Sequence, residues 1–282
     1  MNEQIVSKLV TYAVFLFTLG IIGISLISVI LPAFIISNTY EFSINLEPFE
    51  TSPWLLPIIL SNTFLISFGL LFYKKKLPSS INNAIQFVLN FEISKKIAII
   101  SGIIILTIYI GFSIPELSIN EIDQWPDFLV LEAALNIWPS TDHLSIYVKE
   151  QNTRYVRMAL LDFSQDFFQN IKFLPFLASI SVVILTALIT IQIAKKRLAG
   201  LIAMLVLLQS KTFTDFDTVA VYENFWVLFH LLSLYSIQKK WWHSSPISFI
   251  LSIFTKAFVV TYFWMNLFYI YRSEISKKTK FF

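Results

Sequence analysis

FLPFLASISVVILTALITIQIA, residues 173–194, runs straight into Lys195-Lys196-Arg197. An uncharged segment of that length makes about 33 Å of α-helix, enough to cross a hydrocarbon core of about 30 Å. The basic stop recurs along the chain. Residues 53–73 are apolar and end at Lys74-Lys75-Lys76, and residues 97–113 begin just after Lys95-Lys96. Residues 219–237 end at Lys239-Lys240, and the last apolar stretch, 247–271, is followed by Arg272, Lys277, Lys278 and Lys280. The alternate gaps are acidic. Glu41, Glu47 and Glu50 stand between the first two apolar runs without any Lys or Arg, and residues 114–171 hold nine Asp or Glu against three Lys or Arg. Basic clusters in every second gap are the positive-inside pattern of a polytopic membrane protein.

Composition agrees. Of 282 residues 56% are hydrophobic and only 14% charged, against about 25% charged in a soluble domain. The expected fold is therefore all-α: one integral membrane helical bundle of about seven or eight membrane helices, spanning residues 1–282 as a single domain, multi-pass in the cell membrane with its N-terminus cytoplasmic. A net charge of +3, gathered on one face, points to anionic membrane lipids and not to nucleic acid. The absence of cysteine removes disulfides, thiolate metal sites and thiol nucleophiles.

Residues 1–76 read as an N-terminal helical hairpin with spans at 9–36 and 53–73. The first run is too long for the core of a cleaved signal and reads as a retained helix. Ile81, Ala84, Ile85, Val88 and Leu89 recur at helical spacing in the connection 77–94, as in an interfacial helix or an ordinary packed one. Spans follow at 97–113, 173–194 and 219–237. Residues 198–208 are too short to cross alone. Residues 247–271 allow two readings: one span, or a hairpin broken near Thr255-Lys256 that keeps Arg272 with the other basic clusters. Charge favours the hairpin.

The large external loop, 114–171, carries the residues with chemical potential. Glu121, Asp123 and Asp127 surround Trp125 in its densest part. A carboxylate partly buried beside aromatics can act as a general base, because burial raises its pKa toward the working range. The same residues also describe a solvated acidic loop with a tryptophan at the interface. Residues 154–168 place Val156, Leu160, Phe163 and Phe167 on one helical face, as in an amphipathic helix on the outer leaflet. Arg154 and Arg157 are one turn apart, and paired guanidiniums suit a lipid phosphate; head-group contact or pairing with Asp162 is the alternative. Asp215 and Asp217 form a polar cap or, alternatively, help hold a divalent cation. Glu223 and Lys256 are ionisable residues entering apolar segments, which predicts a polar cavity or a partner for each. His143, His230 and His243 are scattered and show no paired metal spacing.

Residues 97–113, the acidic loop, and the Arg-bearing helix leading into 173–194 together resemble the start of the GT-C class of polytopic glycosyltransferases. Ile193 to Met204 resembles that class's basic turn and small-residue helix. Leu208 to Trp226 with Leu231 to Tyr235 resembles its outer turn and next helix, and Ile250 to Lys256 its following short hairpin. The likeness covers residues 97–272, and its texture is similar to that of archaeal membrane proteins of this kind. It implies transfer of a sugar from a polyprenyl-phosphate carrier to an acceptor outside the cytoplasm. The catalytic carboxylate would be Asp123, with Glu121 and Asp127 as competitors, and Arg154, Arg157, Lys256 and Glu223 would form the carrier-phosphate site. The alternative expectation is a non-catalytic membrane subunit or scaffold working with partner subunits. The absence of an adjacent Asp-Glu pair after residue 113 motivates it.

Overall fold

The computed structural model describes residues 74–123, 125–139 and 154–272, with further positions at 16, 60, 63, 64 and 67–72. The expected spans at 9–36 and 53–73 lie largely outside the described residues, as do residues 140–153 of the loop. Among the described residues every regular element is helical. The chain divides into two compact units, Met1–Phe91 and Glu92–Phe282.

In the first unit, the expected helix in the connection is present as α1 (Ser79–Asn90). Its Ile81 and Phe87 are exposed.

The second unit begins with α2 (Lys95–Ser113), capped by the Ser94 hydroxyl accepting from the Ile97 amide. A 3₁₀ turn extends α2 to Ser118, giving a 24-residue helical stretch whose most apolar 18 residues have a mean hydropathy of 2.5. Short turns around Glu121 lead to α3 (Phe128–Leu135). Next come α4 (Tyr155–Phe168), α5 (Phe173–Ala194) and α6 (Arg197–Leu208). One turn, α7 (Lys211–Asp215), precedes a non-helical loop at 216–224. Helices α8 (Phe225–Lys239), α9 (Ser244–Thr255) and α10 (Phe263–Arg272) complete the unit.

By length and composition α2 and α5 are the two described helices able to cross a membrane. Helices α6, α8, α9 and α10 have 12, 15, 12 and 10 residues, so seven or eight full spans are not what the described helices show. Helix α2 leaves Ile99, Ile100, Ile103, Ile104, Ile108 and Phe112 more than half exposed. A row of that kind needs an apolar surrounding.

The span expected at 219–237 is corrected: helix begins only at Phe225. The peptide groups of Ala220 and Val221 are bonded to the side chains of Glu121 and Arg157, and so are not available to a helical ladder. The last apolar stretch is a broken hairpin, as charge favoured. Helix α9 stops at Thr255 because Lys256 is extended (φ −154°, ψ 109°), and a 3₁₀ segment turns the chain into α10. Ser252 near the end of α9 donates to the Trp226 carbonyl at the start of α8, whereas Tyr269 and Ile270 of α10 pack with Leu234 and Ile237 near its end. The two arms are therefore antiparallel.

Small side chains set the close packing. Ser245, Ser248, Ser252 and Thr255 are buried at helical spacing along α9, so its backbone lies close against α8. Ser233 on α8 bonds Ser245 (3.0 Å) and accepts from Asn266 on α10 (3.1 Å), tying three helices. Between α5 and α6 the close approach is at Gly200, where an added Cβ would lie 2.9 Å from the Ala187 carbonyl oxygen and 2.5 Å from Ile191.

The helices order the charges. Glu92, Lys195, Arg197, Lys239 and Lys240 line one cleft, so the ends of α5 and α8 and the start of α6 share one basic end. Glu116, Glu121, Asp127, Asp217 and Glu223 gather at the other.

Candidate functional site

The loop 216–224 is the centre of the acidic end, and side chains from four other elements hold it. Both carboxylate oxygens of Glu121 accept from it: Oε1 from the Ala220 amide and Oε2 from the Val221 amide (3.3 Å). From helix α4, Arg157 meets the same two residues through their carbonyls, with Nη2 donating to Val221 (2.8 Å) and Ala220 (3.2 Å). Its Nε lies 2.8 Å from Glu223 Oε2. Arg157 is 1% exposed, Glu121 2% and Glu223 4%, so none of these charges is screened by bulk water.

Asp217 is held by the Ser113 hydroxyl (2.8 Å), and its carbonyl accepts from Ser179 (2.7 Å). Thr218 donates to Glu116 (3.0 Å) and Asn224 to Ser179 (2.9 Å). Lys172 sits under the turn after α2 and donates to the Glu116 and Ile119 carbonyls at 3.0 and 2.8 Å. Beneath these bonds lies an apolar cluster of Phe128, Leu131, Ala134, Met158, Leu161, Ala178, Ala220 and Phe225. Burying a residue such as Met158 or Leu161 contributes about 1.5–3 kcal/mol.

Burial pushes the Glu121 carboxyl upward, against the two amides and the Lys172 and Arg157 charges that pull it down. Glu223 and Asp217 are raised for the same reason. Burial lowers Lys172, and the nearby Glu121 and Glu116 oppose that shift.

Two groups at this end are not enclosed. The first is aromatic. Trp125 packs on Phe216 (5.1 Å between ring centres) and edge-on to Tyr222 (5.3 Å), and the Tyr222 hydroxyl donates to the exposed Asp127 (2.8 Å). That bond, more than burial, raises the Tyr222 hydroxyl. The second is cationic. Arg154 and Lys256 are half-buried, and Glu223 feels the charge of both as well as that of Arg157. Lys256 Nζ also stands 5.4 Å from the centre of the Phe258 ring.

The structure thus brings together Arg154, Arg157, Glu223 and Lys256, four residues that the sequence singled out from three separate segments. Their roles divide. Arg157, expected to grip a phosphate, is spent on Glu223 and two carbonyls. Glu223 takes Arg157 as its direct partner, with Lys256 as a further charge. The alternative partner Asp162 stands elsewhere on α4, where burial and the charge of Asp166 raise its carboxyl.

Among the expected carboxylates, Glu121 is committed to backbone amides and has no free oxygen for a substrate. Asp127 is accessible. Asp123 lies in the turn Glu121–Asp123, and its side chain is outside the described residues. Asp215 is exposed whereas Asp217 is buried against Ser113, and no group of three metal-ligating side chains occurs among the described residues. The expected helix at 154–168 is present, but its protein-facing side is Arg157, Met158, Leu161 and Ser164. Phe163 and Phe167, expected on its membrane face, are stacked on each other and exposed, as a lipid-facing pair would be.

Sequence reasoning missed Lys172, Ser113 and Ser179. Lys172 had a signal: a lone cation directly before a long apolar run. The two serines had none.

No family model, no curated protein and no solved structure is significantly similar to this chain.

Proposed function

We propose that this is a multi-pass membrane transferase that takes a sugar from a polyprenyl-phosphate carrier at the extracytoplasmic face. The acidic end lies outside and the basic end in the cytoplasm, in accord with the positive-inside rule. The observation that carries the reading is the adjacency of Tyr222 and Glu223. Tyr222 belongs to an aromatic group with an exposed carboxylate, Asp127, and Glu223 to a group with two half-buried cations, Arg154 and Lys256. A sugar ring stacks on the first and a carrier phosphate is held by the second.

Of the three expected carboxylates, Asp123 first among them, the exposed Asp127 is the one we assign to the acceptor proton, because Glu121 is committed to backbone amides. As the acceptor oxygen bonds to the sugar's anomeric carbon, its proton passes to Asp127. The bond from that carbon to the phosphate oxygen breaks, and Arg154 and Lys256 balance the charge left on the phosphate. Arg157 positions the loop through Glu223 and the carbonyls.

The test uses the purified full chain in bilayer nanodiscs with a radiolabelled polyprenyl-phosphate sugar and a series of hydroxyl acceptors. Asp127→Asn is expected to lower transfer by about a hundredfold or more, the range of a lost general base. Arg154→Ala and Lys256→Ala are expected to weaken carrier binding. Transfer unchanged in Asp127→Asn would overturn the role of Asp127.

One observation favours a second reading, a non-catalytic membrane subunit: Glu121 and Arg157, two almost fully buried charges of the acidic end, are both spent on holding loop 216–224. Carrier binding that responds to Arg154 and Lys256, without transfer to any acceptor, would decide for it.

A further inference from the structure

At the basic end, remote in the fold from loop 216–224, a cleft of about 590 Å³ opens between the end of α5, the start of α6 and the end of α8. Its walls carry Lys195, Arg197, Lys239 and Lys240 against a single carboxylate, Glu92. Glu92 is bound to Arg197: Oε1 stands 3.5 Å from Nη1, and the Arg197 amide donates to it at 3.1 Å. The three lysines are exposed and remain for a ligand. Lys195 and Lys240 both sit in the left-handed region, with φ of 55° and 64°, as the residues that end α5 and α8.

Two glutamines, Gln192 and Gln238, also line the cleft. Their side-chain amides each carry two donors and an acceptor. Three cations alone would suit any anion. Cations together with side-chain amides suit an anion that also carries hydroxyls.

Apolar residues flank the charges. Ile193 is 60% and Trp241 54% exposed, and the Trp241 ring packs edge-on to Tyr235, which also lies 5.5 Å from Lys239 Nζ. A tryptophan and a tyrosine beside lysines are the usual furniture of a membrane interface.

We infer that this cleft binds a polyol phosphate, the chemistry of an anionic lipid headgroup with free hydroxyls. The phosphate lies among Lys195, Lys239 and Lys240, the headgroup hydroxyls meet the Gln192 and Gln238 amides, and the acyl chains run past Ile193 and Trp241. Basic pockets between helices on the cytoplasmic side recognise lipid headgroups in this way. The inference stands apart from the transferase reading, because none of these residues belongs to the acidic end.

The test is native mass spectrometry of the full chain released from neutral detergent, with phosphatidylglycerol, phosphatidic acid, phosphatidylcholine or soluble glycerol 1-phosphate added. Phosphatidylglycerol adducts are expected in preference to phosphatidylcholine, and Lys195→Gln/Lys239→Gln/Lys240→Gln is expected to weaken them about tenfold or more. Gln238→Leu is expected to remove the preference for phosphatidylglycerol over phosphatidic acid, which lacks the hydroxyls, while both still bind. Glycerol 1-phosphate binding as tightly as the lipid would assign a soluble polyol phosphate as the source. Weak binding of it beside tight phosphatidylglycerol binding assigns the membrane. Equal retention of phosphatidylcholine and phosphatidylglycerol, or undiminished binding by the triple variant, overturns the inference. The three lysines are exposed surface residues, so their replacement leaves the fold in place to be tested.

Discussion

Replacing Arg157 with methionine tests the organisation of the acidic end most directly. The substitution keeps an apolar stem of similar length and removes the guanidinium. Lost with it are the 2.8 Å pair to Glu223 and the bonds to Val221 (2.8 Å) and Ala220 (3.2 Å). With Arg157 1% and Glu223 4% exposed, water does not take over these roles. Breaking a buried pair by removing one partner costs about 3–5 kcal/mol. At about 2–4 °C per kcal/mol for a chain of this size, the midpoint should fall by roughly 6–20 °C.

The loss should depend on pH, and the sign follows from Glu223. Its carboxyl is already raised by burial, with Arg157 as the first charge pulling it back down. Without Arg157 it rises further. Below the unfolded value both states bind the proton and the variant loses only the two carbonyl bonds. As pH rises through the unfolded value, the unfolded chain releases its proton first, and the variant goes on losing stability to higher pH than wild type. Reversible unfolding in mixed micelles at about pH 5 and pH 8 measures both. The double variant Arg157→Met/Glu223→Leu should recover at least about 1.5 kcal/mol of the loss, because no charge is then left buried alone. A single variant within about 0.5 kcal/mol of wild type, or an equal loss at both pH values, would refute the reasoning.

Two further outcomes follow from the same packing. Gly200→Ala should cost about 1–3 kcal/mol, because the new methyl meets a backbone carbonyl that cannot swing aside, whereas Gly111→Ala, with nothing within 4 Å, should be neutral or stabilise α2 by about 0.5–1 kcal/mol; thermal midpoints in one detergent compare them. Burial raises the folded value of Glu121 above the ordinary glutamate range, so the native state holds its proton to higher pH than the unfolded chain. Its contribution is most favourable below that value and is lost as pH rises toward the folded one; Glu121→Gln should flatten the slope of midpoint against pH over that window, and an unchanged slope would show that Glu121 does not titrate there.

Hydropathy and charge, read along the chain, determined a good deal. The bounds of α5 agree with the apolar run 173–194, because α-helix satisfies its own backbone wherever side chains offer no hydrogen bonds. The break at Lys256 was legible because basic residues on both sides of one uninterrupted span would have faced opposite ends. That Arg154 and Arg157 lie on the same side, near Glu223, was legible from their spacing of one turn. What only the tertiary structure decided is how each charge is used. Within loop 216–224, residues 219–224 read as the start of a helix by composition. They are not one, because Glu121, about a hundred residues away in sequence, takes their amides, and Arg157, on another helix, takes their carbonyls. Such bonds join groups distant in the chain, and neither periodicity nor local propensity carries any trace of them. For the same reason the sequence could name Asp123 with Glu121 and Asp127 as competitors but could not tell how each is used. Only packing separates a carboxylate committed to two backbone amides, Glu121, from one left at the surface beside an aromatic group, Asp127.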